Sequence, residues 1–224
     1  MFSHPEKVPE DLKFDIKSIK EELFNMYSHL LGVVFWFVTA PFVFYQIFKL
    51  SNGFEIVGSL VYFISFLMIF SSSTLYHNSY VAETRLFFRK LDHISIYCFI
   101  AGTYTPIILF YINNEFGRMV LIALWSVTLI GTVFKIFFVG KFRVISTIIY
   151  LLMGWTAVFI IDKLIDLMSP DIFYWIVAGG IIYTLGIIFY LNRKIKFNHF
   201  LWHIAVTLGA ICHFIAIYLS LITA

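Results

Sequence analysis

The chain has 224 residues, 61% hydrophobic, 20% aromatic and 13% charged, with a formal net charge of +3. Soluble domains carry about 25% charged and roughly 45–50% apolar residues. This composition therefore excludes a water-facing globule and points to a polytopic membrane protein.

The first 28 residues are charged. Within them Leu12, Ile16, Ile19 and Leu23 recur at helical spacing with Lys, Asp and Glu between, which predicts an amphipathic arm on the cytoplasmic membrane surface. A solvated tail packed on the loops is the plainer alternative. The arm is longer than a signal-peptide n-region and the apolar run after it is long enough to span, so no cleaved signal peptide is expected.

About 20 apolar residues cross the hydrocarbon core, and seven runs qualify, at 29–48, 54–76, 93–111, 119–139, 144–161, 172–191 and 200–221. In lipid, backbone groups must be satisfied within a helix or a closed barrel. Continuous apolar runs without period-2 alternation select helices. The expected fold is all-α, a seven-transmembrane helix bundle over 29–221 preceded by the arm at 1–28. Pro41 and Pro106 fall inside spans one and three. The connections SNG, NNEFG, GKFR, SPD and NRKIKFN are short, and there is no internal repeat or second domain.

Cations assign the orientation, because short cytoplasmic loops collect Lys and Arg. Lys7, Lys13, Lys17 and Lys20 lie in the arm, and Arg85, Arg89 and Lys90 between spans two and three. Lys135, Lys141 and Arg143 fall near the next even–odd connection, and Arg193, Lys194 and Lys196 near the last. Of 16 cations, only Lys49, Arg118 and Lys163 fall on the other side. The amino terminus is expected in the cytoplasm and the carboxyl terminus outside. The net positive charge thus reflects topology and gives no sign of nucleic-acid binding.

With this topology three polar clusters share one membrane level: SSSTLYH, with Ser73 and His77, ends span two; KLDHISIY, with Asp92 and His93, opens span three; NHFLWH, with His199 and His203, opens span seven. His199 and His203 are four apart, on one helix face and about 6 Å apart along the axis. Two imidazoles so placed can grip one metal, as in HExxH helices. His77 would complete three neutral nitrogen ligands, a set that for zinc leaves a fourth position open, as catalytic sites do. Asp92 at the mouth of such a site can take a proton from a water; an N-cap of span three is its duller role. The Ser73 hydroxyl, one turn from His77, can donate to a substrate carbonyl or bond back to its own helix, and Ser71 and Ser72 compete with it. His93 is expected beside the site or between helices. His213, roughly 15 Å from His203 along the helix, is out of ligand reach and either lines a cavity or is buried structure. His4 and His29 look peripheral. Cys98 and Cys212 form no CxxC pair and are expected reduced and buried.

The segments SSSTLYH, LDHISIYCFIAGTYTPIILF and HFLWHIAVTLGAICHFIAIY resemble the hemolysin III family of bacterial membrane proteins. That family is related to the progestin and adipoQ receptors, which include the adiponectin receptors, and more remotely to alkaline ceramidases. The resemblance covers about residues 20–221. It implies seven helices with a cytoplasmic amino terminus and Zn2+ held by His77, His199 and His203. It also implies an aspartate at Asp92 beside the zinc-bound water and a serine at Ser73. His93 and His213 fit the bacterial branch of the pattern. The large amino-terminal domain of the adiponectin receptors has no counterpart, which argues against a hormone-receptor role.

The expected function is a zinc-dependent, ceramidase-like hydrolase of a lipid amide or ester in the plasma (inner) membrane, serving membrane lipid homeostasis, with a membrane lipid or fatty-acyl ligand. A pore-forming hemolysin and a non-catalytic membrane-state sensor are the alternatives.

Overall fold

The computed structural model describes residues 16–224. His4, Lys7, Leu12 and Lys13 of the arm lie outside the described residues, as does the packing of Ile16 and Lys17.

Among the described residues every regular element is helical: α1 Ile16–Ile47, α2 Gly53–His77, α3 Ala82–Tyr111, α4 Glu115–Phe138, α5 Arg143–Gly154, a 3₁₀ segment Trp155–Ile160, α6 Ile161–Leu167, α7 Pro170–Leu191 and α8 Asn198–Thr223. Among the described residues seven stretches are long and apolar enough to cross a membrane, the fifth being the broken run Arg143–Leu167. The chain is an all-α integral membrane protein.

Local chemistry sets several helix starts. The Asn52 side chain accepts from the Phe54 N–H at 3.0 Å, and that of Asn114 accepts from the Gly117 N–H at 3.0 Å, each satisfying an otherwise unpaired donor. Pro170 stands in the first turn of α7, where its missing N–H costs nothing.

Hydrophobic runs mark what lipid can cover, and helices extend beyond them. α1 runs unbroken from Ile16 into the first span, so the described part of the arm is collinear with that span. Along it Ile19 and Leu23 are 36% and 37% exposed, while Asn25, Ser28 and His29 are buried. The polar side of this stretch turns into the bundle. α3 begins at Ala82, with Val81 as its N-cap. Arg85, Arg89, Lys90 and Asp92 therefore lie on the helix, and the N-cap reading of Asp92 is excluded. The fifth span also departs from expectation, because its α-helix stops at Gly154, passes through a turn of 3₁₀ and resumes at Ile161.

α3 is the central helix, 72% buried over its most apolar window against 56% for α8 and 44% for α2. α2 and α3 approach closely: a Cβ on Gly102 would stand 2.2 Å from the Ser65 hydroxyl. Tyr62, Phe63, Phe66, Phe70 and Phe99 fill the space between α2 and its neighbours. The turns α2–α3, α4–α5 and α7–α8 and the described start of α1 all lie at one end of the bundle, here the basic end.

Candidate metal centre

His77 occupies the last turn of α2, and His199 and His203 the first two turns of α8. Their ring centroids are 5.2 Å (His77–His199), 4.9 Å (His77–His203) and 4.5 Å (His199–His203) apart. One ring nitrogen from each lies within 4.8 Å of the other two, so the group can hold a metal ion. His77 and His203 are each only 2% exposed. Spacing four residues apart on α8 and the antiparallel run of α2 bring the rings together.

Hydrogen bonds select the nitrogens that face this centre. His77 Nδ1 lies 2.6 Å from Glu22 Oε2. His203 Nδ1 lies 3.1 Å from the Asn25 carbonyl oxygen and 3.1 Å from the Ser28 hydroxyl. A neutral imidazole has one N–H. With Nδ1–H donating to the Glu22 carboxylate and to the Asn25 carbonyl, Nε2 of each ring keeps its lone pair. His77 Nε2 is buried and without a hydrogen-bond partner. Histidines that bind metals have this arrangement, one nitrogen donating to a carboxylate or carbonyl while the other ligates. The donor set and the orphaned nitrogen fit a divalent cation such as zinc.

Glu22 is itself held. Its Oε1 accepts from Arg85 at 2.8 Å, and the 3% exposed Arg85 also donates to the carbonyls of Tyr76 and Ser79, each at 3.2 Å. α1, α2 and α3 are thus tied together behind the histidines. His29 corrects the peripheral reading. It is 3% exposed, its ring stacks on His203 at 3.7 Å and 15°, and both its nitrogens are buried without partners. The reason is that α1 crosses the site before entering its span. Glu22, Asn25 and His29 recur at i, i+3 and i+7, a polar stripe on one helix face; that stripe was the signal available in the sequence.

Of the three neighbouring serines, Ser71 donates to the Leu67 carbonyl at 2.6 Å and Ser72 to the Ser95 hydroxyl at 3.1 Å. Ser73 is wholly buried with no partner for its hydroxyl. Of the three hydroxyls, that of Ser73 is the unpartnered one. Asp92 lies 3.5 Å from His93 Nδ1, which also approaches the Arg89 carbonyl oxygen at 2.9 Å. His93 is therefore the neighbour of Asp92, and its ring does not join the three. Cys212 is buried and Cys98 only half-buried; both are free and stand outside the cluster.

Asp92, His29, His199 and His203 line a cavity of about 630 Å³ bounded by α3, the α4–α5 turn, the broken fifth span, α7 and α8. His77 and Ser73 do not reach its lining. It extends from Arg89 and Arg143 at the basic end to apolar side chains such as Ile107, Leu164 and Phe173 toward the other end, and His213 lines it as well. Ten residues of α-helix separate His213 from His203, about 15 Å. His213 both lines the cavity and meets the Ile176 carbonyl at 3.1 Å through Nε2. Opposite it stands Gly179, where a Cβ would be 2.4 Å from the imidazole.

Residues 17–214 match the family described as haemolysin-III related. Over 200 residues the chain is 36% identical to the hemolysin-3 homolog of Bacillus subtilis (strain 168), covering 89% of this chain and 94% of that protein. It is 34% identical over 199 residues to hemolysin-3 of Bacillus cereus, covering 89% and 91%. At 27% identity over 209 residues it is similar to the monocyte to macrophage differentiation factor of Homo sapiens, covering 88% of this chain and 83% of that one.

Proposed function

The chain belongs to the haemolysin-III related family, and on that premise we propose that it is a zinc-dependent hydrolase of a membrane lipid amide or ester. In this reading its basic end faces the cytoplasm, its carboxyl terminus lies outside, and it resides in the plasma (inner) membrane. The carrying observation is the orphaned, buried Nε2 of His77, set among imidazoles that open on a mostly apolar cavity whose described lining holds one carboxylate, Asp92.

His77, His199 and His203 would hold the zinc, which when bound supplies Lewis acidity and lowers the pKa of water. The chain's own residues do the remainder. Glu22 and the Asn25 carbonyl keep the His77 and His203 rings in the tautomer with Nε2 free. Asp92 accepts a proton from water and returns it to the leaving group, a general acid–base role. The Ser73 hydroxyl has no partner of its own and lies behind the cavity's lining; it donates to the oxyanion that develops on the acyl carbonyl when that carbonyl passes the lining to the histidine cluster. The apolar wall that includes Ile107, Leu164 and Phe173, away from the histidine end, accepts the acyl chain.

Protein purified in detergent and loaded with zinc is expected to release fatty acid from at least one class in a panel of ceramides and glycerolipids. Asp92→Asn is expected to lower that release by about 10²-fold or more with zinc content unchanged. Absence of release at full zinc loading across the panel contradicts the hydrolase reading.

The names of the bacterial relatives suggest a cytolysin. A pore needs polar residues along much of its length, whereas the three candidate ligands, Asp92 and most cations of this chain collect at one end. Dye release from liposomes by the wild type and by His77→Ala alike would favour the cytolysin. A membrane-state sensor with structural zinc predicts that chelation unfolds the bundle.

A further inference from the structure

The cavity's wall at the basic end carries charge that the histidine centre does not use. Lys135, one turn before the end of α4, is 1% exposed. Its ammonium donates to the Ser146 hydroxyl at 2.6 Å, and it pairs with no carboxylate among the described residues. An ammonium has three donors, and a buried charge is costly unless it is paired. Cations at this end of a membrane protein are ordinary when they reach water, but Lys135 does not.

Its neighbours add to the same field. Arg143 opens α5 with its Nε buried and without a partner, and its guanidinium carbon lies 4.0 Å over the Tyr190 ring. Arg89 is seated on the α4–α5 turn, where a Cβ on Gly140 (φ 81°) would meet its guanidinium at 2.8 Å. The N-cap position of α5 is held by Phe142 in the left-handed region (φ 54°, ψ 41°), and no side chain caps the helix. Phe142 and Phe197, the N-cap of α8, are the non-glycine residues with positive φ among those described. Both uncapped helix starts border the cavity, through Arg143 and Asn198. Uncapped N–H groups at a helix start favour an anion. Among the described residues the one carboxylate lining the cavity, Asp92, is already beside His93.

We propose that Lys135, Arg143, Arg89 and the start of α5 form an oxyanion pocket that takes the phosphoryl group of a lipid headgroup. A carboxylate would balance only one of the two cations Lys135 and Arg143, whereas a phosphate monoester carries close to two negative charges and three acceptor oxygens. The pocket is continuous with the apolar cavity, which gives the lipid's chain a place to lie. Arg143 is also near the histidines. Its guanidinium carbon is 4.0 Å from the Tyr190 centroid, itself 6.3 Å from the His199 centroid, which bounds the separation at about 10 Å. In a phospholipid only a few bonds separate the phosphate from the first acyl carbonyl, so one molecule can reach both sites. As a statement of substrate class this rests on the hydrolase reading; as a binding site it does not.

Native mass spectrometry of the detergent-purified full chain tests it with three probes: dioctanoyl phosphatidic acid, dioctanoylglycerol and inorganic phosphate. The phosphatidic acid is expected to bind about tenfold more tightly than the diacylglycerol. Lys135→Met and Arg143→Gln are each expected to lose about that factor while diacylglycerol binding stays within about twofold. Lys135→Met keeps the stem of the side chain; should it fail to fold, Arg143→Gln decides. Inorganic phosphate that binds as tightly as the lipid, with the same loss in the variants, supports the pocket and assigns it a soluble phosphate. Equal binding of the two lipids, or phosphatidic acid binding untouched by either variant, overturns the proposal. The measurement needs no turnover. Binding without hydrolysis of any lipid would defeat the hydrolase reading alone, and hydrolysis of a neutral lipid without this binding would defeat the pocket alone.

Discussion

The inner helices α2, α3 and α8 and the outer wall made by α4 and the fifth span are built on different terms. The most apolar windows of the inner three are 44%, 72% and 56% buried, whereas those of α4 and the fifth span are each 22% buried. The inner helices hold Ser73, His77, Asp92, His199 and His203. Their polar groups are braced from α1, through Glu22, Asn25 and Ser28, leaving a few orphaned atoms at the centre. The outer wall turns Phe137, Leu152 and Phe159 outward at 72%, 66% and 83% exposure. Its helix is interrupted at Trp155–Ile160. The contrast teaches that polar side chains are clustered where packing fixes rotamers, and enclosure is left to helices that need only be apolar.

Substitutions on the two sides should separate this way. Glu22→Gln removes the carboxylate that orients His77, and zinc affinity by competition with a chelator is expected to fall 10- to 100-fold, roughly the weight of an outer-shell partner. Unchanged affinity would mean that the His77–Glu22 contact does not orient a ligand. Gly32→Ala follows. Its Cβ would lie 2.2 Å from Phe70, whose ring meets His29 edge-on at 5.1 Å. Overpacking of this kind costs about 1–3 kcal/mol, to be read as a lower Tm in detergent.

Ser73→Ala removes a buried hydroxyl that bonds to nothing, so stability should change by less than about 1 kcal/mol in either direction. Turnover should nevertheless drop. A large loss of stability would show that the hydroxyl has a structural partner. Smallest of all, Leu152→Ala on the outer wall should move stability by no more than about 0.5 kcal/mol and leave zinc affinity unchanged. A larger shift would erase the distinction between the two regions.

The meeting of His77, His199 and His203 was legible in the sequence because helical spacing and loop charge are both one-dimensional signals, and antiparallel spans convert them to depth. The brace was not. Glu22 and Asn25 precede the first apolar run, in a stretch whose Leu and Ile pattern read as a surface helix; the unbroken α1 carries them into the bundle. Arg85 counted toward topology as a loop cation, and only the start of α3 at Ala82 places it under Glu22. His29 sat at the edge of a hydrophobic run and so looked marginal, although it stacks on a candidate ligand. The break in the fifth span had no warning stronger than Gly154, since a 3₁₀ turn and an α turn draw on the same apolar residues. Hydropathy reports the solvent of a segment, and neither helix ends nor side-chain partners follow from it.

One metal held between the end of α2 and the start of α8 is the central proposal for this molecule. Elemental analysis of protein purified in detergent, wild type beside His203→Ala and after brief exposure to zinc, tests this most directly. About one zinc per wild-type chain is predicted, with a large loss in a His203→Ala protein that still elutes as a folded species. A wild-type chain that retains no metal, or a His203→Ala chain that retains as much as the wild type, would contradict it.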